Sequence, residues 1–457
     1  SKTRDALQGD LVRIALREGY GRKKEGEVVQ VIQRNKTEFV GTVQLTPKTC
    51  FLVPDSFKVH VDFYIPEGKR MKVQNGQKVL AKMIDWKESD KNPSAEIIKI
   101  FGFPGEHHTE IHAIMAEFGL PMEFPDEVEK VAQALRTDIT AEEIKKRRDF
   151  REVLTFTIDP HDAKDFDDAI SFKKLSDDEF EIGVHIADVS HYVKKDSALD
   201  KEALWRTTSV YLVDRVLPML PEKLSNVLCS LRPNEDKLCF SVIWNMNATG
   251  KILKTWIGKT VIHSQKRFTY ESAQEQIEDG KGEWGNILRQ VNEISKSLRE
   301  KRFKNGSIDF DTVEIKFKLD ENGKPLEVIQ KERKDSNLLI EDLMLQANRS
   351  VAEFIDQQKK KNKSVQFVYR VHDLPDPERL SDFANLAMMF GYKLNLDTPK
   401  QIAKSFNKLM TSVKGKPEQN MLESLGIRTM AKAKYTTQNI GHYGLAFEHY
   451  SHFTSPI

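Results

Sequence analysis

The chain has 457 residues, of which 39% are hydrophobic, and its 71 Lys and Arg residues nearly balance its 69 Asp and Glu residues. That length suffices for about three domains of roughly 150 residues each, with at least one large core. No run of about 18 apolar residues occurs, which excludes a membrane-spanning helix, and the first residues lack the apolar core of a secretory signal.

Two groups of short strands come first along the chain. Residues 8–34 are predicted to be the last strands of a small β unit, assigned to residues 1–36 as a partial domain. Residues 37–103 contain a more complete set, separated by turn signals rich in Pro, Gly and Asn. Its candidate strands are Glu38–Leu45, Cys50–Val53, Val59–Ile65, Gln77–Trp86 and Ala95–Phe101. This spacing predicts a small closed barrel of the oligonucleotide-binding (OB) kind.

Aromatic and basic side chains alternate in the second unit. Phe51, Phe57, Phe63, Tyr64 and Trp86 lie among several lysines and arginines. Such a surface can stack bases and hold phosphates. Residues 1–100 carry 19 Lys and Arg against 13 Asp and Glu, a net charge of +6, which suits the capture of a polyanion. For each aromatic, packing in the barrel core is the competing interpretation.

Helical periodicity begins after the barrel. Residues 104–150 are predicted to be a helical connector containing His108–Phe118 and Asp126–Leu135, and a mixed α/β domain follows over residues 151–457. The clearest helix of that domain is Asn337–Lys359, where apolar residues recur three or four apart. The predicted fold class is therefore multidomain α+β, with N-terminal OB-type β-barrels followed by a mixed α/β domain.

The three cysteines, Cys50, Cys229 and Cys239, form no CxxC pair and are odd in number. This argues against a disulfide framework and against a cysteine-rich zinc site. We expect buried thiols in a reducing cytosol, and hence a cytoplasmic protein.

The most informative segment runs from Thr157 to Ile170 and places five aspartates within ten positions. It lies between the apolar runs Val153–Ile158 and Ala169–Phe172. A strand that enters a tight loop and returns would bring Asp159, Asp165, Asp167 and Asp168 around one point. Two carboxylates about 4 Å apart repel by about 4 kcal/mol at an effective dielectric constant of 20, so a partly buried set requires cations. Hard oxygen ligands of this type favour Mg²⁺ or Mn²⁺.

Two simpler interpretations compete with this metal site. The first is an acidic surface loop, but a solvated loop does not need apolar strands on both sides. The second is a calcium EF-hand, which is rejected because its alternating Asp pattern with Gly and its glutamate at position twelve are absent.

The segment Asp159–Asp168, with its Asp-x5-Asp-x-Asp-Asp spacing, resembles the signature of the ribonuclease II/ribonuclease R (RNB) family, and bacterial ribonuclease R is the most similar branch. Further matching motifs follow in family order across about 300 residues: Gly183–Ser190, Ser209–Tyr211, Leu217–Pro221, Leu228–Leu231, Tyr369–His372, Asn439–Ala446 and Tyr450–Ile457. The resemblance covers essentially the whole chain, and the N-terminal barrels are similar to the family's cold-shock domains.

The resemblance implies a processive 3′-to-5′ exoribonuclease that hydrolyses single-stranded RNA to nucleoside 5′-monophosphates. Asp159, Asp165, Asp167 and Asp168 would be its catalytic, metal-holding residues. Two-metal hydrolysis of this kind activates a water and stabilises the departing 3′ oxygen. The partner is then single-stranded RNA, with no membrane and with a monomeric enzyme.

The resemblance also assigns three RNA-binding residues. Tyr211 would stack on or orient the terminal nucleotide, Phe310 would clamp bases, and Glu341 would contact a ribose. Stacking on aromatics is worth about 1–3 kcal/mol per base and tolerates any base. Core packing is the competing interpretation for each aromatic. The histidines of the motifs, including His185, are expected to have hydrogen-bonded structural roles.

The sequence departs from the family pattern at its end. The motif that closes at Ile457 continues in the family with two arginines and a tyrosine, one arginine being positioned to neutralise charge on the phosphate, and an S1 domain follows. By analogy with the loss of an oxyanion-hole donor, about 100- to 1000-fold in rate, we expect the full-length protein to be active and this chain to be weak or inactive.

Two other functions remain open. One is a catalytically silent RNA-binding or regulatory protein on the same scaffold, although a binding module gains nothing from carboxylates near a phosphate. The other is a DNA nuclease with the same metal chemistry, which a comparison of RNA with 2′-deoxy substrate would separate. The sequence does not distinguish Mg²⁺ from Mn²⁺.

Overall fold

A computed structural model describes residues 3–17, 25–87, 90–309, 314–321, 323–362 and 364–456. The chain divides into two compact units. The first comprises Ser1–Phe124, Tyr211–Leu217 and Lys318–Glu327, and the second comprises Pro125–Val210, Pro218–Phe317 and Val328–Ile457. Within the described residues, no helix is both long enough and apolar enough to cross a membrane.

The first unit is built on a closed β-barrel. The antiparallel pair β1 (Leu11–Arg17) and β2 (Glu25–Gln33) precedes it. The barrel strands are β3 (Glu38–Leu45), β4 (Cys50–Pro54), β5 (Phe63–Tyr64), β6 (Lys78–Asp85) and β7 (Ser94–Gly102). They close in the order β3-β4-β5-β7-β6, and a 3₁₀ turn at Glu67–Lys69 lies between β5 and β6.

The barrel is stabilised because its strands turn apolar side chains of different sizes inward. Leu52, Phe63, Val79 and Ala81 are fully buried in its core, in line with the alternation of a half-buried strand. Helix α1 (His107–Glu117) packs against β3, β6 and β7 and buries three apolar side chains, Ile111, Ala113 and Met115.

One barrel strand was predicted wrongly. The structure has a strand only at Phe63–Tyr64 within the predicted Val59–Ile65. The chain turns at residues 56–59, where the Val59 N–H donates to the Ser56 carbonyl. Val59 still packs against the barrel core, so its apolar character reflects burial from a loop rather than from a strand.

The second unit begins with helices α2 (Asp126–Ala134) and α3 (Ala141–Lys145) and contains a mixed sheet. In the described part of the chain this sheet has seven strands, in the order β16-β9-β10-β11-β14-β15-β8. The strands are β8 (Arg148–Phe150), β9 (Thr155–Asp159), β10 (Asp168–Lys174), β11 (Glu179–Ala187), β14 (Asp236–Asn247), β15 (Ile252–His263) and β16 (Lys266–Thr269). The two edge strands pair in parallel with their neighbours, β8 with β15 and β16 with β9. The other pairs of this sheet are antiparallel.

Between β11 and β14 lie α4 (Val189–Tyr192), α5 (Ala198–Arg206), the two-stranded hairpin β12 (Val210–Tyr211) and β13 (Val216–Leu217), and a π-helical turn at Lys223–Leu228. After β16 come α6 (Tyr270–Asp279), α7 (Gly282–Lys304), the hairpin β17 (Glu314–Leu319) and β18 (Pro325–Lys331), and α8 (Asp335–Lys361). The last elements are β19 (Tyr369–Val371), α9 (Pro377–Met389), α10 (Pro399–Val413), α11 (Gln419–Thr429), β20 (Lys434–Thr436) and a 3₁₀ turn at Tyr443–Leu445.

Helices α6, α7 and α8 cover one face of this sheet and form the largest core with it. Trp244 of β14 is completely buried there, and its indole N–H donates to Ser350 Oγ of α8 at 3.1 Å. A second core joins α9, α10 and α11, where the rings of Phe383 and Phe406 stack 5.4 Å apart. The predicted fold class, an OB-type barrel region followed by a mixed α/β domain, is confirmed, with one closed barrel and the separate pair β1-β2 in the described residues.

His185 lies completely buried at the centre of the sheet. Its Nδ1 lies 2.7 Å from Ser241 Oγ of β14, and its Nε2 lies 2.8 Å from Ser171 Oγ of β10. Both ring nitrogens are therefore hydrogen-bonded, which matches the structural role expected of this histidine. The three cysteines are free and buried, as expected.

Candidate active site

The aspartate-rich segment connects two neighbouring strands of the central sheet. Strand β9 ends at Asp159, and β10 begins at Asp168, antiparallel to β9 with Ile170 opposite Phe156. Strand β9 is buried at every position, including Asp159 at its end. Burial of the whole strand therefore fixes where Asp159 lies. Residues 160–167, here called the aspartate loop, therefore return the chain to the same end of the sheet.

The carboxylates of this segment lie close enough to affect one another. Burial raises the pKa of Asp159 to about 6, and the negative charge of Asp165 adds to the effect. Burial also raises the pKa of Asp167 to about 7, with Asp165 and Asp159 contributing. The pKa of Asp168 is likewise raised to about 7 by burial and by the charges of Asp159 and Asp167. Asp159, Asp167 and Asp168 are therefore each affected by the charge of at least one other aspartate of the set, and Asp165 acts on two of them. Their joint role in holding a metal stays a prediction.

Two oxygens of this cluster have no protein partner. Asp159 Oδ2 and Asp167 Oδ1 are buried and accept no hydrogen bond from any described residue. A buried carboxylate oxygen without a donor is costly, whereas an oxygen-only set of this kind fits Mg²⁺ or Mn²⁺. Within the described ranges, no three acidic, His or Cys side chains already stand in a ligating arrangement, so rotation of the carboxylates would be needed to complete a shared coordination shell.

Several contacts that the sequence did not reveal hold the aspartate loop. The Ala187 N–H donates to the Asp167 carbonyl, and the Leu231 N–H donates to the Phe166 carbonyl. Ser230 and Arg267 also bind loop backbone groups. Ser230 lies in the Leu228–Leu231 motif, which the sequence analysis names as part of the family resemblance without assigning it a role. That motif is the one sequence feature that points to Ser230.

The barrel of the first unit presents some of its aromatics to solvent. Phe57 is 84% exposed, whereas Phe63 is fully buried in the core. The rings of Phe51 and Tyr64 lie 5.6 Å apart and are half-buried. Trp86 packs under the guanidinium of Arg34 at 5.7 Å. Core packing is thus the correct interpretation for Phe63, and base stacking stays available to Phe57.

Comparison with protein families decides the relationship. A family model for the RNB domain matches residues 147–457, and a cold-shock domain model matches residues 51–125. The chain belongs to the RNB-domain family. All four clustered aspartates lie within the part that matches the RNB domain.

Individual RNB relatives match along the whole chain. Ribonuclease R of Thermotoga maritima is 37% identical over 100% of this chain, and the alignment covers 64% of that protein. The chain thus spans less than two thirds of that relative's length. Mycoplasma genitalium RNase R, solved in complex with ribose methylated single-stranded RNA, superimposes with a TM-score of 0.91 at 27% identity, covering 100% of this chain and 72% of that one. Yeast Ssd1, described as a pseudonuclease, has a TM-score of 0.72 at 20% identity over 100% of this chain and 63% of its own, which shows a shared fold alone.

The other predicted RNB site residues have different placements. Tyr211 is 65% exposed, in hairpin β12–β13, and belongs to the first compact unit. Glu341 lies in the first third of α8 in the second unit and forms an ion pair with Arg333. Phe310 lies outside the described residues. The roles of all three stay predictions.

Proposed function

We propose that this RNB chain is the catalytic part of a metal-dependent exoribonuclease that degrades single-stranded RNA processively from the 3′ end to nucleoside 5′-monophosphates. The proposal is supported by the mutual charge effects among Asp159, Asp165, Asp167 and Asp168, and by buried oxygens of Asp159 and Asp167 that no donor among the described residues satisfies. Relatives named ribonuclease R, and a relative solved with single-stranded RNA, support the choice of substrate.

The charge of the cluster supports two ions rather than one. Four ionised carboxylates carry a charge of −4, which two divalent cations neutralise and one does not. Asp159, Asp165, Asp167 and Asp168 would hold them, with Mg²⁺ the first choice and Mn²⁺ the second. Such ions supply an activated water and charge stabilisation for an in-line displacement at phosphorus.

The chain's own residues would bind and orient the RNA. The exposed ring of Tyr211 would stack on or orient the terminal nucleotide, Phe310 would clamp bases, and Glu341 would accept a hydrogen bond from a ribose hydroxyl. Stacking does not discriminate among bases, which suits a degradative enzyme. The basic barrel unit would gather the strand, with Phe57 offering one exposed face.

The test is the shortening of 5′-labelled single-stranded RNA, with protein in excess over RNA so that slow cleavage is recorded. We expect Mg²⁺-dependent shortening to a short labelled end product, which Asp167→Asn abolishes. Asp162→Asn is the matched control, because Asp162 lies in the same loop with its side chain 71% exposed and contacts only Lys316 among its described ion-pair partners. A 2′-deoxy strand of the same sequence should resist cleavage.

The alternative is a catalytically silent RNA-binding protein. The likeness to yeast Ssd1 shows that this fold also occurs in a pseudonuclease, so the fold alone does not decide. The complete aspartate set favours the enzyme, since a carboxylate cluster repels phosphate unless cations cover it. RNA retention without Mg²⁺-dependent shortening in the same assay would establish the alternative. We further propose a monomeric, cytoplasmic protein, which the three free, buried cysteines support.

A further inference from the structure

We infer that Ser230 and Arg267 are positioning residues that clamp the aspartate loop in the shape required for cation binding. The effect of these residues on cation binding rests on the function proposed above. The restraint that they place on the loop is a property of the fold. Neither residue contacts the reacting atoms in this account. Ser230 acts through the backbone that carries the carboxylates. Arg267 binds that backbone too, and its positive charge also acts directly on the Asp159 carboxylate.

Ser230 fixes the backbone on both sides of Asp165. Its side chain is completely buried. The hydroxyl donates to the Lys164 carbonyl at 2.8 Å and accepts from the Phe166 N–H at 3.1 Å. One hydroxyl thus uses its donor and an acceptor lone pair on the two residues that flank Asp165. The direction in which the Asp165 side chain leaves the loop is set by this pair of bonds.

Arg267 fixes the start of the loop, directly after Asp159. It lies on β16 opposite Thr157 of β9. Its Nη2 donates to the Pro160 carbonyl at 2.6 Å and to the His161 carbonyl at 2.9 Å. The guanidinium also lies 5.2 Å from the ring centroid of Phe166, so this one side chain touches both the entry and the exit of the loop.

Ser230 and Arg267 oppose the electrostatic repulsion among the carboxylates of the aspartate loop. Before cations bind, mutual repulsion of the carboxylates acts to spread the loop. Bonds from Ser230 and Arg267 reach the backbone at residues 160, 161, 164 and 166, between the four aspartates. The loop is thereby pre-organised, and binding a cation need not include the cost of ordering it. Groups that orient ligands in this way typically affect metal affinity by about 10- to 100-fold.

The experiment compares Ser230→Ala and Arg267→Met with the unaltered chain. Loop order is read by hydrogen–deuterium exchange of the amides of residues 161–168, and cation affinity by Mn²⁺ binding in electron paramagnetic resonance. Urea denaturation selects conditions in which every variant is folded. We expect about tenfold faster exchange in the loop of both variants, and about 10- to 100-fold weaker Mn²⁺ binding in Ser230→Ala, which leaves the charge near the site unchanged. Arg267→Lys, which keeps the charge and a donor, should exchange more slowly than Arg267→Met.

Two control variants alter comparable side chains that do not touch the loop. Ser225→Ala removes a buried hydroxyl whose contact is the Pro221 carbonyl at 3.4 Å. Lys266→Met removes the exposed cation next to Arg267 on the same strand. Both should keep loop exchange and Mn²⁺ affinity within about twofold of the unaltered chain, well short of the effect expected for an orienting group.

The two readouts separate the clamp from the proposed function. If the unaltered chain does not bind Mn²⁺, the proposed metal site is refuted. Hydrogen–deuterium exchange of the loop amides would still decide whether the loop is clamped. Unchanged exchange in Ser230→Ala and Arg267→Met would overturn the clamp, whatever the affinity. Faster exchange with unchanged affinity in Ser230→Ala would also overturn the inference, because the shape of the loop would then not matter to the cation.

Discussion

Arg147 forms a buried salt bridge with Asp188: Arg147 Nη2 lies 2.7 Å from Asp188 Oδ2, and the two side chains are 0% and 1% exposed. Arg147 Nη1 also donates to the carbonyls of Cys239 and Thr260. This arginine therefore ties the segment before β8 to β14, to β15 and to the residue that follows β11, at the end of the sheet where β10 begins.

We expect Arg147→Ala to lower the free energy of unfolding by about 3 kcal/mol, the lower end for a broken buried pair, because Asp188 keeps Lys259 Nζ at 3.1 Å while the carbonyls of Cys239 and Thr260 lose a donor. Urea denaturation of the purified chain measures this. Arg136→Ala is the control, since Arg136 pairs with Asp138 at a site where both side chains are more than half exposed, and such pairs contribute little. If both variants lost the same free energy of unfolding, the buried pair would stabilise the fold no more than the exposed one.

His185 should make the fold sensitive to acid. Burial, and then the charge of Arg148, lower the pKa of its imidazole to about 3, against about 6.5 in an unfolded chain. Between these values the unfolded chain binds the extra proton, so stability is lost as the pH falls below about 6.5, by up to about 1.4 kcal/mol per pH unit.

His185→Asn removes this titration while keeping a polar side chain between Ser171 and Ser241. We expect the variant to be less stable at pH 7 but to lose less stability between pH 6.5 and 4.5 than the unaltered chain. Thermal unfolding over that pH range records both effects. Parallel pH profiles for the two proteins would mean that His185 does not contribute to the acid response.

Mg²⁺ should stabilise the chain in a pH-dependent way. A ligand that binds only the folded state raises the melting temperature by mass action, and carboxylates must lose their protons to bind it. Because the pKa values of Asp167 and Asp168 are raised to about 7, we expect a larger shift at pH 8 than at pH 5.5. Removal of the ion with a chelator should reverse the shift, and Asp167→Asn should reduce it. An equal shift at both pH values would indicate binding elsewhere.

Tyr211 should affect RNA binding more than stability, since its side chain is 65% exposed. Tyr211→Ala removes a stacking surface worth about 1–3 kcal/mol, which corresponds to about 5- to 150-fold in affinity. Tyr211→Phe keeps the ring and should bind like the unaltered chain. Fluorescence anisotropy with a short 5′-labelled RNA, without Mg²⁺ so that it is not cleaved, provides the measurement. A loss that is the same for Ala and Phe would assign the effect to the hydroxyl instead.

Local pattern was sufficient for much of the fold. Helix α8, Asp335–Lys361, extends the predicted Asn337–Lys359 by two residues at each end, because its apolar spacing faces one continuous core. The clustering of Asp159 and Asp168 also followed from a strand, a loop and a strand. In both cases the pattern that allows the prediction lies within one short stretch of sequence.

The rest depended on contacts between distant residues. Ser230 lies 66 positions from Lys164, and Arg267 lies 107 positions from Pro160, so a single sequence contains no local sign of either bond. Val59 was assigned to a strand because an apolar residue packed from a loop has the same pattern as one packed from a strand. The sequence also predicted Tyr211, Phe310 and Glu341 only through family resemblance, and their roles await experiment.

We propose above all that the four aspartates hold divalent cations. The most direct measurement is an anomalous difference map from crystals grown with Mn²⁺ and a short single-stranded RNA. We expect strong peaks about 2.1 Å from oxygens of Asp159 and Asp168, next to a phosphate of the RNA. Carboxylates turned toward solvent, with no Mn²⁺ between them and no RNA nearby, would contradict it.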